Sequence, residues 1–302
     1  KGKGGKDRRR AGPASVEGLS LRLRDLSFDP KAGSLVHALS ANGGLEVENV
    51  TFESTHIRKA RGQLRLGEGR FEVQELRFAT EQGSFLARLL VDFNRLPFGY
   101  ALTLLGEPLD VNAMVGATGA GGFGPGRLEL EAEGFGSDSR NMKGKGVLRM
   151  DAGRLPSTPM LVSIEKSLGR TALVGSPYRA MENAFRIRNN RVFLDQFELE
   201  AEQVAIDLDG WVSLDGPLNL RLVVRTPRQG LKIKEVDDHV LDALTTDKGW
   251  VAIPFKVTGT MEEPRLRPDS RALMAQAGQG TRRLMKKKAT EGIKSLFRRK
   301  LP

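Results

Sequence analysis

The sequence contains no cysteine and only three histidines, His37, His56 and His239, spread far apart along 302 residues. A disulfide framework and a thiolate metal site are thereby excluded, and the histidine spacing offers no imidazole cluster. The absence of cysteine suits periplasm and cytosol equally, so the redox compartment stays open. No apolar stretch approaches the roughly 18 residues needed to cross a bilayer, and no apolar segment ahead of a cleavage site marks a signal peptide. The first residue is Lys1 rather than Met, so the chain reads as a fragment or processed product, which leaves room for an upstream anchor.

The net charge of +11 resembles a nucleic-acid signal until it is divided along the chain. Residues 1–10 carry six Lys and Arg against Asp7, a local +5, and residues 282–302 carry nine against Glu291, a local +8. The 271 residues between them sum to −2, so the basic character belongs to the ends. A nucleic-acid groove requires the opposite distribution, and nucleic acid is not expected as a partner.

Residues 1–12 are Gly, Lys and Arg with almost no apolar side chain and read as a solvated linker. Residues 13–267 read as one β domain and 268–302 as a basic amphipathic helix. The signal within the β domain is period-two alternation. Leu218, Leu220, Leu222 and Val224 alternate with Asn219, Arg221 and Arg225, with Val223 the one exception; Val204, Ile206 and Leu208 alternate with Asp207 and Asp209; Leu128 and Leu130 alternate with Glu129 and Glu131. Strands with one apolar and one wet face are antiparallel in character.

An ungapped repeat recurs at an offset of 121 residues. Leu64-Arg65-Leu66 matches Phe185-Arg186-Ile187, Arg70-Phe71-Glu72-Val73 matches Arg191-Val192-Phe193-Leu194, and Leu76-Arg77-Phe78 matches Phe197-Glu198-Leu199. A partial copy runs from Gly146 to Leu155. The unit reads as a hairpin with a turn at Gly67-Glu68-Gly69, Arg188-Asn189-Asn190 or Asp151-Ala152-Gly153. Stacked hairpins make one long meandering, curled sheet. Helix-period stripes are few: Met160, Leu161, Ile164 and Leu168 after a Thr158-Pro159 start signal, and Val236, Val240, Leu241 and Leu244.

Motifs with chemistry are weak. Gly119-Ala120-Gly121-Gly122-Phe123-Gly124 fits the dinucleotide fingerprint, but that motif requires a following helix and Leu128–Glu133 alternates as a strand. Lys143-Gly144-Lys145-Gly146 lacks the glycine and hydroxyl residue of a phosphate loop. No nucleophile-elbow sequence is present. Glu198, Glu200 and Glu202 at spacing two share one face of one strand, which fits a wet face better than paired acid–base groups. No cofactor and no catalytic constellation is expected.

Three readings of the basic tail compete: a solvated or partner-binding end, a nucleic-acid arm, and an interfacial membrane helix. Apolar Met285, Ala289, Ile293 and Leu296 at helical spacing beneath Arg282, Arg283, Lys286, Lys287 and Lys288 favour the membrane. Phe297 is the segment's one aromatic residue, which leaves base stacking little to use.

At Trp250-Val251-Ala252-Ile253-Pro254-Phe255-Lys256-Val257-Thr258-Gly259-Thr260, with Glu263-Pro264-Arg265-Leu266-Arg267-Pro268-Asp269 after it, the sequence resembles the closing segment of AsmA-like C-terminal regions. Phe185–Val224, with Asp209-Gly210-Trp211-Val212-Ser213-Leu214, resembles the passage that precedes it. The resemblance covers residues 100–269 well and 16–99 more loosely. It implies an extended curled β-sheet with an apolar interior, a periplasmic, membrane-associated setting in a Gram-negative envelope, and a non-catalytic part in phospholipid transport or outer-membrane assembly. Phospholipid or another acyl lipid, a membrane surface and other envelope proteins are the implied partners. The basic tail departs from the family pattern.

Physics independently favours a groove. About fourteen strands at ~4.8 Å make a sheet roughly 67 Å long, whereas a short helix is about 10 Å across. Two such helices cannot cover its apolar face, so the face either closes on itself as a scaffold core or lines a trough for acyl chains. Register then nominates Val192, Leu194, Phe197, Leu199, Ile206, Leu208, Leu220 and Leu222 for the lipid side, with Asp207, Asp209 and Arg221 toward water.

Overall fold

The computed structural model describes residues 14–52, 55–118, 121–169, 173–233, 236–246 and 248–278. Within them the chain is antiparallel β, as the alternation predicts. The strands are β1 (Ala14–Glu17), β2 (Ser20–Phe28), β3 (Leu39–Phe52), β4 (Thr55–Gly67), β5 (Arg70–Thr80), β6 (Gly83–Asp92), β7 (Gly99–Leu109), β8 (Gly126–Phe135), β9 (Lys143–Met150), β10 (Gly153–Arg154), β11 (Pro177–Tyr178), β12 (Met181–Arg188), β13 (Arg191–Ala201), β14 (Val204–Ser213), β15 (Pro217–Pro227), β16 (Trp250–Thr260) and β17 (Pro264–Pro268). The helices are α1 (Leu35–Ala38), α2 (Val111–Met114), α3 (Pro159–Leu168) and α4 (Asp238–Leu244), and residues 270–278 are helical as well. The chain divides into two compact units: unit 1 is residues 1–110 with 126–146, and unit 2 is residues 111–125 with 147–302.

In unit 1 each strand from β2 to β8 pairs with the next, and β1 joins the far end of β3 beside β2. Directly paired residues share a face, and the row Leu23, Gly43, Leu64, Val73, Leu89, Leu102 and Ala132 is apolar or glycine across all seven strands. The opposite face is laced with ion pairs such as Arg88–Glu72 and Lys145–Glu131. Among the described residues of this unit, no helix longer than the single turn α1 is available to pack on the apolar face.

In unit 2, β12 to β17 form a second meander. The 121-residue repeat is structural down to its irregularities. Leu64↔Val73 and Phe185↔Leu194 occupy the same register, as do Val73↔Leu89 and Leu194↔Gly210. Both hairpins turn on two residues with positive φ, Glu68-Gly69 and Asn189-Asn190, the geometry that matches the strands' right-handed twist. Both then carry a bulge 121 residues apart, at Glu75 (φ 48°) and Gln196 (φ 59°). The bulge resets the alternation, so Val73 and Leu76, like Leu194 and Phe197, keep one face despite odd spacing. The partial copy at residues 146–155 behaves differently: β10 pairs with β11, not back onto β9, so Asp151-Ala152-Gly153 is no hairpin turn. Gly153 explains why, because a Cβ there would lie 2.8 Å from the Gly122 oxygen and the Gly124 nitrogen. The chain is held against a loop at the point where a hairpin would fold back.

The helices follow their sequence signals. The Thr158 hydroxyl accepts the Leu161 amide at 3.2 Å, Pro159 opens α3, and Gly169 closes it in the left-handed region at φ 63°. The α3 stripe buries Leu161, Ile164 and Leu168 in one cluster with Val204, Leu220, Leu222, Val224, Ile253 and Phe255 of the sheet. Of the second stripe, Val240, Leu241 and Leu244 lie in α4 and Val236 precedes it; Leu241 is the member that is fully buried. The expectation that short helices leave the apolar face uncovered therefore fails for much of unit 2, where Leu222 and Phe255 are each 1% exposed.

Asp269 sets the exit from β17. Its carboxylate accepts the Ala272 amide at 3.2 Å and pairs with Lys256 at 3.1 Å, which together hold its pKa below the ordinary carboxylate value. Leu273 is buried one turn later. The nominated membrane residues Arg282, Arg283, Met285, Lys286, Lys287, Lys288, Ile293, Leu296 and Phe297 lie outside the described residues.

Candidate functional site: an apolar cavity in unit 2

The alternation of β13, β14 and β15 delivers Leu194, Phe197, Leu199, Ile206, Leu208, Leu220 and Leu222 to the wall of one cavity of about 250 Å³. Seven of the eight nominated residues therefore meet at one place. Val192 does not line it, although register opposite Val212, which does, puts it on the same face. Behind this face, Asp209 and Arg221 are cross-strand partners exposed to solvent. Asp207 is half-buried and accepts a hydrogen bond from Arg225 at 2.6 Å.

Sequence periodicity could not reveal the other walls, because they come from outside the three strands. Met160, Leu161 and Ile164 of α3 contribute one side. Val111, Val115 and Phe123 come from the segment before β8, and Leu148, Met150, Met181 and Met261 close the rest. Phe123 sits in the glycine-rich segment that mimics a dinucleotide fingerprint. That segment runs into strand β8, so no helix N-terminus follows to receive a pyrophosphate.

The position of Phe123 is over-determined. Asn112 clasps its backbone, with its amide donating to the Phe123 oxygen at 3.1 Å and its Oδ1 accepting the Phe123 amide at 2.7 Å. The Tyr178 ring meets Phe123 edge-on at 5.7 Å between centroids. The Tyr178 hydroxyl accepts from the Gly124 amide at 2.9 Å and donates to the Asp151 oxygen at 2.8 Å. Burial raises the Tyr178 pKa, so the phenol remains a neutral linker.

Among the described residues Thr158 is the one polar side chain on the wall, and its oxygen is engaged by the α3 cap. A polar metabolite would find no convergent donors or acceptors, whereas apolar groups find a lining of aliphatic, aromatic and thioether side chains. The four methionines suit a chain of variable shape, since their unbranched thioethers repack readily. A water occupies about 30 Å³ of liquid and a methylene has nearly the same bulk, so the cavity accommodates about eight such groups. At about 0.8 kcal/mol each, their burial is worth about 6 kcal/mol. Among the described residues no cluster of three or more His, Asp or Glu has metal-binding geometry. No family model matches the chain, and no curated protein or solved structure is significantly similar to it.

Proposed function

We propose that this chain is a non-catalytic, lipid-handling protein that binds the acyl portion of a phospholipid or related lipid on the apolar face of its sheet. The observation that carries the reading is the unit 2 cavity: an apolar wall from three strands and a helix, with its single polar side chain already used. The unit 1 face offers the same chemistry over more strands, and Val73, Leu76, Phe85, Ala87, Leu102 and Leu104 stand where unit 2 has Leu194, Phe197, Ile206, Leu208, Leu220 and Leu222. The AsmA-like resemblance supports a place in phospholipid transport or outer-membrane assembly in a Gram-negative periplasm. In this reading the basic tail supplies contact with an anionic membrane surface.

Native mass spectrometry of the purified protein is expected to show co-purifying lipid, and a lipid-free spectrum from cells rich in phospholipid would count against the proposal. Deleting residues 280–302 is expected to abolish salt-sensitive binding to anionic liposomes while the β fold stays intact. Undiminished binding by the truncated protein would show the tail to be misassigned.

A scaffold reading has one observation in its favour: Leu220, Leu222, Val224 and Phe255 are packed as tightly as a closed core. It differs in predicting no lipid at Leu208 or Val212, both of which are only half-buried.

A further inference from the structure

Strand β2 is an open edge. It pairs with β3 on one side, and among the described residues nothing pairs with the other. Its backbone therefore presents unpaired N–H and C=O groups, which proteins usually blunt with short strands, charge or cover. Here the strand is nine residues long and strongly apolar on one face: Leu21 is 51% exposed, Leu23 44% and Phe28 62%. The Leu23 side chain lies over Gly43, so this face is the rim of the apolar row that crosses unit 1. A bulge with Asp25 at φ 52° keeps Phe28 in phase with Leu23.

The wet face of the same strand identifies what fits. Arg22 and Arg24 project there, and neither has an ion-pair partner among the described residues. Further into the sheet, several wet-face cations meet carboxylates of the neighbouring strand, as in Arg61–Glu46, Arg70–Asp92 and Arg88–Glu72. The two edge arginines stand where an added strand would supply the missing carboxylates.

We propose that β2 is a strand-addition site for an extended partner segment that alternates apolar and acidic residues. Main-chain hydrogen bonds supply the attachment, the apolar positions extend the leucine face, and the acidic positions pair with Arg22 and Arg24. Charge argues against a second copy of this chain. Any antiparallel β2–β2 register that sets Leu23 opposite Leu21 or Leu23 also sets Arg22 opposite Arg22 or Arg24, and like charges directly opposed are destabilising. The site does not depend on lipid binding.

The test uses the full chain and two synthetic nine-residue peptides, one alternating valine with glutamate and one alternating valine with lysine. The glutamate peptide is expected to bind at least tenfold more tightly and to slow amide hydrogen exchange across residues 20–28. In the R22E/R24E double variant, whose substitutions are on exposed side chains, the preference is expected to reverse. Because the basic chain ends also attract acidic peptides, the exchange pattern and the reversal decide the matter. Binding that survives R22E/R24E unchanged, or that leaves residues 20–28 unprotected, overturns the proposal. So does sedimentation showing a dimer that protects β2.

Discussion

Leu208→Arg is expected to lower lipid co-purification at least tenfold while the protein stays folded. Leu208 lines the cavity yet is only half-buried, so a long side chain can cross the apolar space and carry its guanidinium toward solvent. The fold should lose about 1–3 kcal/mol, the range of an ordinary substitution, because no charge is stranded. The same change at Leu222, which is 1% exposed and directly opposite Leu208, is expected to unfold unit 2. Chemical denaturation of the two variants, read beside their lipid content, checks both halves. A Leu208→Arg protein that unfolds like Leu222→Arg shows that the face is sealed.

Phe255→Ala is expected to have the opposite profile. Its ring is 1% exposed and paired across β15–β16 with Leu222 of the cavity wall, so truncation leaves a void beside that wall. Such a change costs about 3–5 kcal/mol, which for a unit of this size lowers Tm by roughly 6–20 °C. Lipid capture should survive, because the apolar space grows and no polar group enters it. Differential scanning calorimetry paired with native mass spectrometry separates the outcomes. Loss of lipid with no change in Tm would contradict the assignment of Phe255 to the supporting core.

Much of this arrangement is legible in the sequence because a strand's period is two and cannot drift. Leu218 to Val224 announces a single buried face, and the 121-residue repeat carries its register and its bulge from one unit to the other. Thr158-Pro159 marks α3 for a local reason, a cap with its hydroxyl on the Leu161 amide. The remainder depends on contacts distant in sequence. Nothing local in the glycine-rich segment places Phe123 on the cavity wall; Asn112, Tyr178 and the Asp151 carbonyl do so from separate elements. Met150, Met181 and Met261 carry no periodic signal that separates a wall from a core. Coverage of the apolar face is not legible for a related reason: helix width says little when α3 and flanking loops together bury Val224 and Ile253. Val192 lies two strand residues beyond Leu194, past the cavity's end, a limit that alternation alone cannot set.

The central claim, that the cavity face meets lipid, is tested most directly by placing a photo-crosslinking amino acid at position 208 or 212 on the cavity side and at 209 or 221 on the solvent side. The half-buried 208 and 212 tolerate the bulky probe where the fully buried 220 would not. Irradiation in cells is expected to attach lipid at 208 and 212 and not at 209 or 221, and equal labelling of the two faces, or none at either, would contradict the account.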